Sequence, residues 1–548
     1  MKMILFCISL LSVLFTSTVT SLNITIIHNN DIHARFVATN VYGEDCENES
    51  NEQCFGGIAK VVYKANELRT KIPNLLFLNS GDNYVGTLWY SLFKWSLVAE
   101  LVKKMKFDAM SLGNHEFDDG VEGLEPYVRE TSNIIPTLAC NLEISQEPQF
   151  QSIVHKSKVF AIEGRRVAVI GYITPETAHI SSPGPTLKFT DEAQCIQQEI
   201  NVLKKRGVNI FIALGHSGFE EDLKIAEKVP DLDIVVGGHS NTFLWSGEPP
   251  SFEKPVNDYP VVVKHNDSSI TLVVQAFAFS KYLGFLNVIF DEKGNIEHFS
   301  GKPILLDYTI PADKEIQAML SPKAAEIKSN YDLPIGNTVV MLNSDCRRNE
   351  CNLGNLITDA MIFAALKSSK HKSKNGWSEY PAAFITSGGI RASIDETAKQ
   401  GNITVRDILR VLPFHNEIVG LRIPGSILKD VFEHSVFRIT PDSKAFAGEF
   451  LQISGFKVKY NLSKPVGEKV IKLLIRCGND CRVPKFEAVK DSEVYNVLTL
   501  GYLAKGGDLY SMLAKIEHVS LNLTISQQLI EYIRIHSPIS TALDNRSQ

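Results

Sequence analysis

The chain has 548 residues, of which 44% are apolar and 22% are charged, and its formal net charge is −6. This length exceeds what one hydrophobic core supports, so the composition predicts a globular protein of two or three domains. The mildly acidic balance excludes a surface that is basic overall and attracts nucleic acid or an anionic membrane through its net field.

The amino-terminal stretch, residues 1–21, has the pattern of a secretory signal peptide. Lys2 precedes an apolar run from Met3 to Phe15, and small residues suited to cleavage follow up to Ser21. A membrane anchor is the alternative, but the run is shorter than the roughly 20 residues that a bilayer span requires. Secretion is also favoured by N-x-S/T sequons at Asn23, Asn48, Asn266, Asn402, Asn461, Asn522 and Asn545. The polar carboxyl terminus lacks the hydrophobic tail of a lipid-anchor signal, so we expect a secreted, extracellular protein without a membrane anchor.

The cysteines favour disulfide bonds. Cys7 lies in the predicted signal peptide, which leaves an even number in the mature chain, as is typical of exported proteins. Proximity along the chain suggests three pairs, and elimination leaves a fourth: Cys46 with Cys54, Cys346 with Cys351, Cys477 with Cys481, and Cys140 with Cys195. A zinc cluster is the alternative, and the absence of paired C-x-x-C spacing argues against it.

Residues 22–310 alternate short apolar strands with amphipathic helices. The strands include "NLLFLNS", "RVAVIGYIT", "VNIFIALGH" and "LDIVVGGH", and "SLVAELVKKM" is typical of a helix. This alternation predicts an α/β domain. Residues 311–332 begin with a proline and carry apolar residues at helical spacing, which predicts a linker helix. We expect a second domain over residues 333–548.

The first mature strand leads directly into Asp31 and His33, which are two residues apart. If the strand continues through them, their side chains point to the same side. A carboxylate oxygen and an imidazole nitrogen can then reach one metal ion. The pattern therefore predicts half of a metal site.

Polar side chains follow the other apolar strands as well. They are Asp82 in "NSGDNYVG", Asn114, His115 and Asp118 in "SLGNHEFDDG", His216 in "ALGHSG" and His239 in "VGGHSNTF". Any one of these motifs alone is more often an ordinary turn. Together they lie where ligands gather in α/β sheets, and they supply the nitrogen and oxygen donors of a two-metal site for phosphate-ester hydrolysis. A carboxylate can bridge two ions, and Asp82 is the candidate bridge.

The combined motifs D-x-H, G-D, G-N-H-E, G-H-S and G-G-H-S resemble those of the calcineurin-like metallophosphoesterases. The longer forms GNHEFD and GGHSNTF, followed by a second domain, resemble the 5'-nucleotidase family, which includes ecto-5'-nucleotidases and the secreted apyrases of blood-feeding arthropods. The resemblance covers nearly the whole mature chain. It implies an α/β fold with an amino-terminal sandwich of two β-sheets flanked by helices, a linker helix and a carboxyl-terminal α/β substrate-binding domain.

The resemblance also implies roles for individual residues. It places one metal ion on Asp31, His33 and Asp82, and a second on Asp82, Asn114, His216 and His239. His115 would be the catalytic histidine, and Asp118 would orient it. Zinc is the usual ion of the family, so we expect two divalent ions, zinc in both places, although these ligands would also suit manganese.

The second domain is expected to bring the nucleoside. By resemblance, Arg347 and Arg391 would bind anionic groups, Phe414 and Tyr502 would form two faces of a base clamp, and Asp508 would accept the ribose hydroxyls. The remaining expected substrate contacts are Arg35, Asn241 and Thr386. For the two aromatic residues, packing in the core is the alternative.

Two positions depart from the family pattern. Ecto-5'-nucleotidases have Asn-Gly-Gly-Gly-Ile-Arg where this chain has Thr386 to Arg391 as Thr-Ser-Gly-Gly-Ile-Arg, and they have Phe where it has Tyr502. A threonine hydroxyl cannot reproduce the donor and acceptor that a carboxamide presents together to a base. We therefore expect base selectivity or the accepted phosphate length to differ.

These patterns predict a secreted, metal-dependent nucleotide phosphohydrolase. The polar carboxyl terminus and Thr386 favour an apyrase that acts on ATP and ADP, with AMP as a further substrate. The alternatives are a 5'-nucleotidase acting mainly on AMP, a UDP-sugar hydrolase, and a catalytically silent binder of nucleotides or of a receptor. Retention of the metal ligands argues against the silent binder. No nucleic-acid partner is expected, and the sequence leaves the oligomeric state open.

Overall fold

The computed structural model describes residues 21–41, 43–46, 51–367, 375–395, 397, 399–414, 416–443 and 448–548. Residues 1–20 of the predicted signal peptide and the sequon at Asn48 lie outside these ranges. Within them, the chain forms a sandwich of two sheets with flanking helices, a connecting helix, and a second α/β unit. The predicted fold class is confirmed.

The first sheet has the strand order β15-β14-β1-β2-β3-β4-β6, with β16 paired to β14. Its strands are β1 (Leu22–Asn29), β2 (Leu75–Asn79), β3 (Ala109–Ser111), β4 (Thr137–Leu138), β6 (Val154–His155), β14 (Tyr282–Phe290), β15 (Ile296–Gly301) and β16 (Ile304–Leu305). β1 is buried on both faces, because Ile24 and Ile26 join the core shared with the second sheet, whereas Ile27 packs in the core formed with the helices. β1 to β4 and β6 run parallel, so their carboxyl ends meet at one edge.

The second sheet has the strand order β12-β13-β11-β10-β8-β7. Its strands are β7 (Ser157–Ile162), β8 (Arg165–Ile173), β10 (Ile210–His216), β11 (Ile234–Val236), β12 (Val261–Lys264) and β13 (Ile270–Val274), and a separate pair joins β5 (Leu142–Glu143) to β9 (Lys188–Phe189). Its central strands β8, β10, β11 and β13 are parallel. Near-continuous apolar runs in these strands match a sheet that is buried on both faces.

Helices cover the outer faces of the two sheets. They are α1 (Ile58–Lys71), α2 (Leu88–Met105), α3 (Gly120–Ser132), α4 (Thr177–Ile180), α5 (Glu192–Lys204) and α6 (Phe219–Lys228). Residues of α1, α2 and α3 form one hydrophobic core with the first sheet, and α5 and α6 pack against the second. The backbone of α2 is interrupted at Lys94, whose φ is 50°.

Helix α7 (Lys314–Tyr331) leads from the first domain to the second. The Asp313 carboxylate caps its first turn by accepting hydrogen bonds from the backbone N–H groups of Glu315 and Ile316. The same helix buries Ile316, Leu320 and Ile327 in the core of the first domain. The helix is therefore packed against the first domain and is not a flexible linker.

The second domain is built on a five-stranded sheet in the order β21-β18-β25-β20-β26. The strands of this sheet are β18 (Ala383–Thr386), β20 (Glu417–Pro424), β21 (Leu451–Ser454), β25 (Val494–Leu500) and β26 (His518–Thr524). A separate pair joins β17 (Pro334–Asn337) to β19 (Asn402–Thr404), and a three-stranded sheet consists of β22 (Phe456–Tyr460), β23 (Val470–Arg476) and β24 (Phe486–Ala488). The helices of the second domain are α8 (Asn352–Lys367), α9 (Val405–Val411), α10 (Gly425–His434), α11 (Gly501–Ala504) and α12 (Ile525–His536). Residues of α8, α9 and α12 share one core, whereas those of α10 and α11 share another with β22 and β23.

All of the predicted disulfide pairs are present. They join Cys46 to Cys54, Cys140 to Cys195, Cys346 to Cys351 and Cys477 to Cys481. Three of them close short loops, and the Cys140 pair ties the end of β4 to α5. Across the described ranges, each helix is either too short or too polar to cross a lipid bilayer.

The two domains contact each other on both sides of the cleft between them. On one side, Leu409 of α9 joins the core of the first domain, and the buried Arg410 guanidinium lies 3.4 Å from the Glu44 carboxylate. On the other side, Arg438 donates to the half-exposed Glu176 carboxylate at 2.5 Å. The domains are thus in direct contact at both places.

Candidate active site

The candidate metal ligands lie where both sheets end. Asp31, Asp82 and Asn114 follow β1, β2 and β3 of the first sheet, His216 is the last residue of β10, and His239 follows β11 of the second sheet. Parallel strands direct their carboxyl ends to one edge, so the sandwich brings two sets of turns together. The residues that the sequence singled out therefore come from five separate strands and meet at one place.

The turn after β1 differs from the extended strand assumed for Asp31 and His33. β1 ends at Asn29, and both residues have a φ of 51°, in the left-handed region. That prediction of local structure was wrong, because hydrogen bonds to the next loop bend the chain: Asp31 N–H donates to Gly81 O and His33 N–H to Asp82 O. The side chains nevertheless converge, with 3.6 Å between Asp31 Oδ1 and His33 Nε2. Strained backbone of this kind is often found at functional sites.

The Asp82 carboxylate lies at the centre of the cluster. Its Oδ2 atom is 3.0 Å from His216 Nε2 and 3.7 Å from His33 Nε2. Two groups of potential ligand atoms each fall within 4.8 Å, one formed by His33, Asp82 and His115 and the other by Asp82, His216 and His239. Asp82 belongs to both groups, which is the arrangement that a bridging carboxylate requires.

The hydrogen bonds around the histidines fit metal binding. His33 Nδ1 lies 2.9 Å from Val85 O, and His216 Nδ1 lies 2.6 Å from Ser80 O, so in each ring the Nδ1–H donates to the backbone and Nε2 presents its lone pair inward. His216 Nε2 and Asp31 Oδ1 are buried, and no described residue makes a hydrogen bond to either atom. Buried acceptors without donors are stabilised by a cation, so these residues fit divalent metal ions.

The electrostatic environment also favours cations. Burial disfavours a charged imidazole, yet the carboxylates of Asp82 and Asp31 outweigh it and raise the pKa of His216 to about 10. Burial and the neighbouring His216 lower the pKa of His239 to about 3, which keeps that ring neutral and able to act as a ligand. The negative potential of the two carboxylates is thus strong enough to hold a positive charge in a buried site.

A second layer of buried polar residues supports the His239 turn. Gln275 donates to the Asp222 carboxylate at 2.7 Å and to Gly238 O at 2.9 Å. Gly237 lies against the same carboxylate, since a Cβ there would sit 1.8 Å from Asp222 Oδ2. Sequence reasoning missed these supporting residues, because neither Asp222 nor Gln275 lies in a recognisable motif.

His115 and Asp118 form a hydrogen-bonded pair beside the ligands. His115 Nδ1 lies 2.6 Å from Asp118 Oδ2, and the Ser181 hydroxyl donates to Asp118 Oδ1, also at 2.6 Å. With Nδ1 engaged by the carboxylate, His115 presents Nε2 to the site. Distance alone does not separate His115 from the ligands, because it falls within one of the two groups around Asp82.

Glu116 joins the two central turns, and sequence reasoning assigned it no role. Its buried carboxylate accepts hydrogen bonds from the backbone N–H groups of Asp82, Asn83, Tyr84 and Gly113, at 2.8, 2.7, 3.1 and 2.6 Å respectively. It therefore fixes the turn that carries Asp82 against the turn that carries Asn114. Its position as a charged residue inside the GNHE motif was the available signal.

We expect Glu116→Gln to destabilise this junction strongly. The amide keeps one acceptor oxygen and turns an NH₂ group towards backbone donors, so about two N–H groups lose their partner at a cost of about 2–6 kcal/mol. The midpoint temperature of thermal unfolding and the metal content should both fall. Glu122→Gln, which replaces an exposed glutamate on α3, should change neither. Equal stability of the two variants would contradict the role of Glu116 as a junction.

The expected phosphate-binding arginines lie on the domain cleft. Arg391 Nη2 of the second domain is 3.3 Å from His33 Nε2 of the first. Burial and then Arg347 lower the pKa of Arg391 to about 10, and burial lowers the pKa of Arg347 as well. Arg35 is packed differently from the expectation, with its guanidinium on the Phe279 ring at 4.2 Å and Nη1 donating to Gly43 O. Neighbouring arginines that repel one another are relieved by a bound anion.

The aromatic residues expected to bind the base have different surroundings. The Phe414 ring stacks on His115, with centroids 5.8 Å apart and planes 20° apart. Tyr502 instead donates its hydroxyl hydrogen to Asp508 Oδ1 at 2.8 Å. Their roles as the two faces of a clamp remain a prediction.

Two polar positions complete the predicted set. Thr386 is the last residue of β18 and is buried. Asn241 has a φ of 53°, and its buried Oδ1 makes no hydrogen bond with any described residue. An unpaired buried acceptor suits a contact with a bound molecule. Thr386 pairs with Leu451 through the backbone of the sheet.

Comparison with known proteins identifies the class that this fold and site define. Residues 24–243 match the model of the calcineurin-like phosphoesterases, and residues 334–515 match that of the 5'-nucleotidase C-terminal domain. A snake venom 5'-nucleotidase of Crotalus adamanteus is 41% identical over 96% of this chain and 88% of its own length. A 5'-nucleotidase of Homo sapiens is 42% identical over 89% of this chain and 84% of its own length. The crystal structure of a 5'-nucleotidase precursor from Thermus thermophilus superimposes with a TM-score of 0.86 at 30% identity, covering 96% of this chain and 99% of that one.

The chain therefore belongs to the 5'-nucleotidase family of phosphohydrolases, which act on nucleotides. Its amino-terminal domain is a calcineurin-like phosphoesterase domain, a class that binds two divalent metal ions, and the cluster around Asp82 supplies suitable ligands. The resemblance inferred from the motifs is confirmed.

Proposed function

We propose that the protein is a secreted, zinc-dependent 5'-nucleotidase whose main substrate is AMP. The observation that carries this proposal is the contact between the nucleoside side and the phosphate side of the cleft: Arg391 lies against His33, and Phe414 lies against His115. A base platform this close to the candidate metal ligands suits a nucleotide whose reacting phosphorus is bonded directly to the 5'-oxygen of the sugar. The names of the relatives support the same reaction.

In this proposal each group of site residues has a separate role in the reaction. Two metal ions would be held by Asp31, His33, Asp82, Asn114, His216 and His239. When bound, they would supply polarisation of the phosphoryl oxygens and stabilisation of the charge in the transition state. Arg391 and Arg347 bind phosphate oxygens through their guanidinium groups. His115 holds a proton at Nε2, facing the ester, while Asp118 accepts the Nδ1–H and favours the positive ring. Zinc suits the mixture of imidazole and carboxylate donors.

Secretion is supported by the signal-like residues 1–21 and by the disulfides, which persist in oxidising surroundings. The described sequon asparagines are exposed, as glycan attachment requires: Asn23, Asn266, Asn402, Asn461, Asn522 and Asn545. These features support a substrate outside the cell.

ATP and ADP form the second candidate substrate class. Thr386 favours it, because this position departs from the family's asparagine and alters the polar groups at the end of β18. Phosphate release from ATP, ADP and AMP, measured side by side on purified protein, decides between the candidates. Faster release from ATP or ADP than from AMP would overturn AMP as the main substrate, and Thr386→Asn should then shift the ratio towards AMP.

Phe414→Ala tests whether the second domain binds the base. Loss of stacking worth about 1–3 kcal/mol should raise KM for AMP by about 5- to 150-fold. Hydrolysis of 4-nitrophenyl phosphate, which has no nucleobase, should fall much less, and Phe414→Tyr should retain most of the affinity for AMP. Equal losses on both substrates would mean that Phe414 only supports His115.

A further inference from the structure

We propose that the outer face of the three-stranded sheet in the second domain binds a sulfated polysaccharide outside the cell. This surface, the lysine face, is defined by Lys457 and Lys459 of β22 and Lys472 of β23. None of the three lysines belongs to the candidate active site. The inference therefore goes beyond the proposed reaction and shares with it only the extracellular setting.

The pleat of the sheet directs the three lysines to one side. On β22, Phe456 and Val458 are buried in the core of the domain, whereas Lys457 and Lys459 between and after them are exposed. Lys472 is also exposed and is the cross-strand partner of Lys459. Partners of this kind lie on the same face with their Cβ atoms about 5 Å apart, and Lys457 is one pleat, about 7 Å, away. The sheet thus holds three cationic side chains side by side.

No acidic residue of the sheet balances these charges on the same face. By the register of the strands, the other outward positions are Leu474, Arg476, Phe486 and Ala488. Lysines nearby are neutralised, since Lys485 and Lys490 each lie 2.7 Å from a glutamate carboxylate. The charge of Lys457 reaches Asp544, but Arg546 already donates to that carboxylate at 2.8 Å. The lysine face therefore carries excess positive charge.

The pairing of Lys459 with Lys472 is not explained by folding. Like charges directly opposite each other destabilise a sheet. Lysines often protect the free edge of a sheet from pairing with another chain. Here Lys472 is on the central strand, whereas the edge strand β24 carries Phe486, which is 40% exposed and lies 5.0 Å from the Lys457 ammonium group. A bound polyanion would relieve the repulsion, and this gives the pair a function.

A sulfated polysaccharide fits the lysine face better than other polyanions do. The chain has a net charge of −6, so a long nucleic acid would be repelled by the rest of the surface. Anionic lipids are concentrated in the cytoplasmic leaflet, whereas the disulfides support a location outside the cell. Sulfated polysaccharides of the extracellular space carry closely spaced sulfate groups, which accept charge-assisted hydrogen bonds from lysine. Such a polymer matches both the charge of the face and the compartment.

Titration calorimetry of the disulfide-intact full chain with a short heparin oligosaccharide tests the proposal. The wild type should bind at an ionic strength of about 0.15 M, and log K should fall against log salt concentration with a slope of about −2 to −3, as for about three contacts. The triple variant Lys457→Gln, Lys459→Gln and Lys472→Gln should bind at least about tenfold more weakly. Absence of binding by the wild type, or wild-type affinity in the triple variant, would overturn the proposal.

Two control variants separate the lysine face from overall charge and from folding. Lys188→Gln, Lys205→Gln and Lys228→Gln together remove the same charge from exposed lysines of the first domain and should leave the affinity unchanged. An equal loss in this variant would refute a defined surface. Replacement of the three lysines of the face by arginine should preserve binding, because the charges remain, and loss of binding there would refute a charge-based contact.

Thermal unfolding checks the repulsion within the lysine face. The triple glutamine variant of the face should unfold at the same temperature as the wild type or at a higher one, because the unfavourable pair is removed. A lower midpoint temperature would contradict the idea that the pair is unfavourable for folding.

Two further probes test the identity of the bound polymer. Hyaluronan carries carboxylates but no sulfates, and it should bind much more weakly than heparin. Vesicles of phosphatidylserine and phosphatidylcholine should not bind. Equal affinity for hyaluronan, or vesicle binding that is lost with the three lysines, would overturn a sulfated polysaccharide as the ligand.

Failure of this inference is distinguishable from failure of the proposed function, because heparin binding does not depend on hydrolysis. A protein that binds heparin through the lysine face but releases phosphate from no nucleotide would refute only the proposed function. A protein that hydrolyses AMP and does not bind heparin would refute only the inference.

Discussion

Replacing Asp82 with Asn should abolish nearly all phosphate release from nucleotides while the protein still folds. Asp82 Oδ2 lies between His33 and His216, and Asp82 is shared by both groups of candidate ligands. The asparagine amide carries no charge and binds a second ion poorly. Loss of the Asp82 carboxylate should therefore weaken the binding of both ions. We expect kcat/KM to fall by at least about 1000-fold, which corresponds to about 4 kcal/mol of transition-state stabilisation.

Metal analysis of the purified variant should show the loss of bound metal together with the loss of activity. Asp119→Asn is a suitable control, because Asp119 accepts hydrogen bonds from Tyr90 and Lys94 next to the site and has no ligand role. That variant should keep its metal and its activity. Wild-type turnover in Asp82→Asn, or in the native protein after chelation, would refute the metal-dependent reaction.

Sequence reasoning identified the ligand cluster because its signals are local. Each candidate ligand follows an apolar strand within a few residues, and parallel strands direct such positions to one edge. The geometry of the first turn was not predictable in the same way. Asp31 and His33 take left-handed backbone conformations because the loop after β2 provides their hydrogen-bond acceptors, and that loop lies about fifty residues further along the chain.

The contacts between the domains were beyond the reach of sequence patterns. The stacking of Phe414 on His115 and the approach of Arg391 to His33 depend on how α7 and α9 pack against the first domain. No periodicity records that packing. The Tyr502–Asp508 hydrogen bond was missed for a related reason, because the motif suggested a separate role for each residue, whereas the turn at Gly507 brings them together.

His115→Ala should reduce kcat by about 10²- to 10⁴-fold without removing metal, as expected for a positioned acid–base group. The structure makes this a sharp test, because His115 lies within 4.8 Å of His33 and Asp82 and could by distance alone be a ligand. Its hydrogen bond to Asp118 argues for a proton-carrying role, since the carboxylate fixes the ring tautomer and supports a positive charge at Nε2. In this variant kcat should therefore fall while the metal content stays unchanged.

Asp118→Asn provides the second arm of the same experiment. If Asp118 works only by orienting His115, its replacement should lower kcat by less than His115→Ala does, and the double variant should be no slower than His115→Ala alone. His179→Ala, an exposed histidine on α4, should match the wild type. Loss of one metal equivalent in His115→Ala would make His115 a ligand, and fully additive effects of the two replacements would mean that Asp118 acts on the substrate or the fold by a route that does not pass through His115.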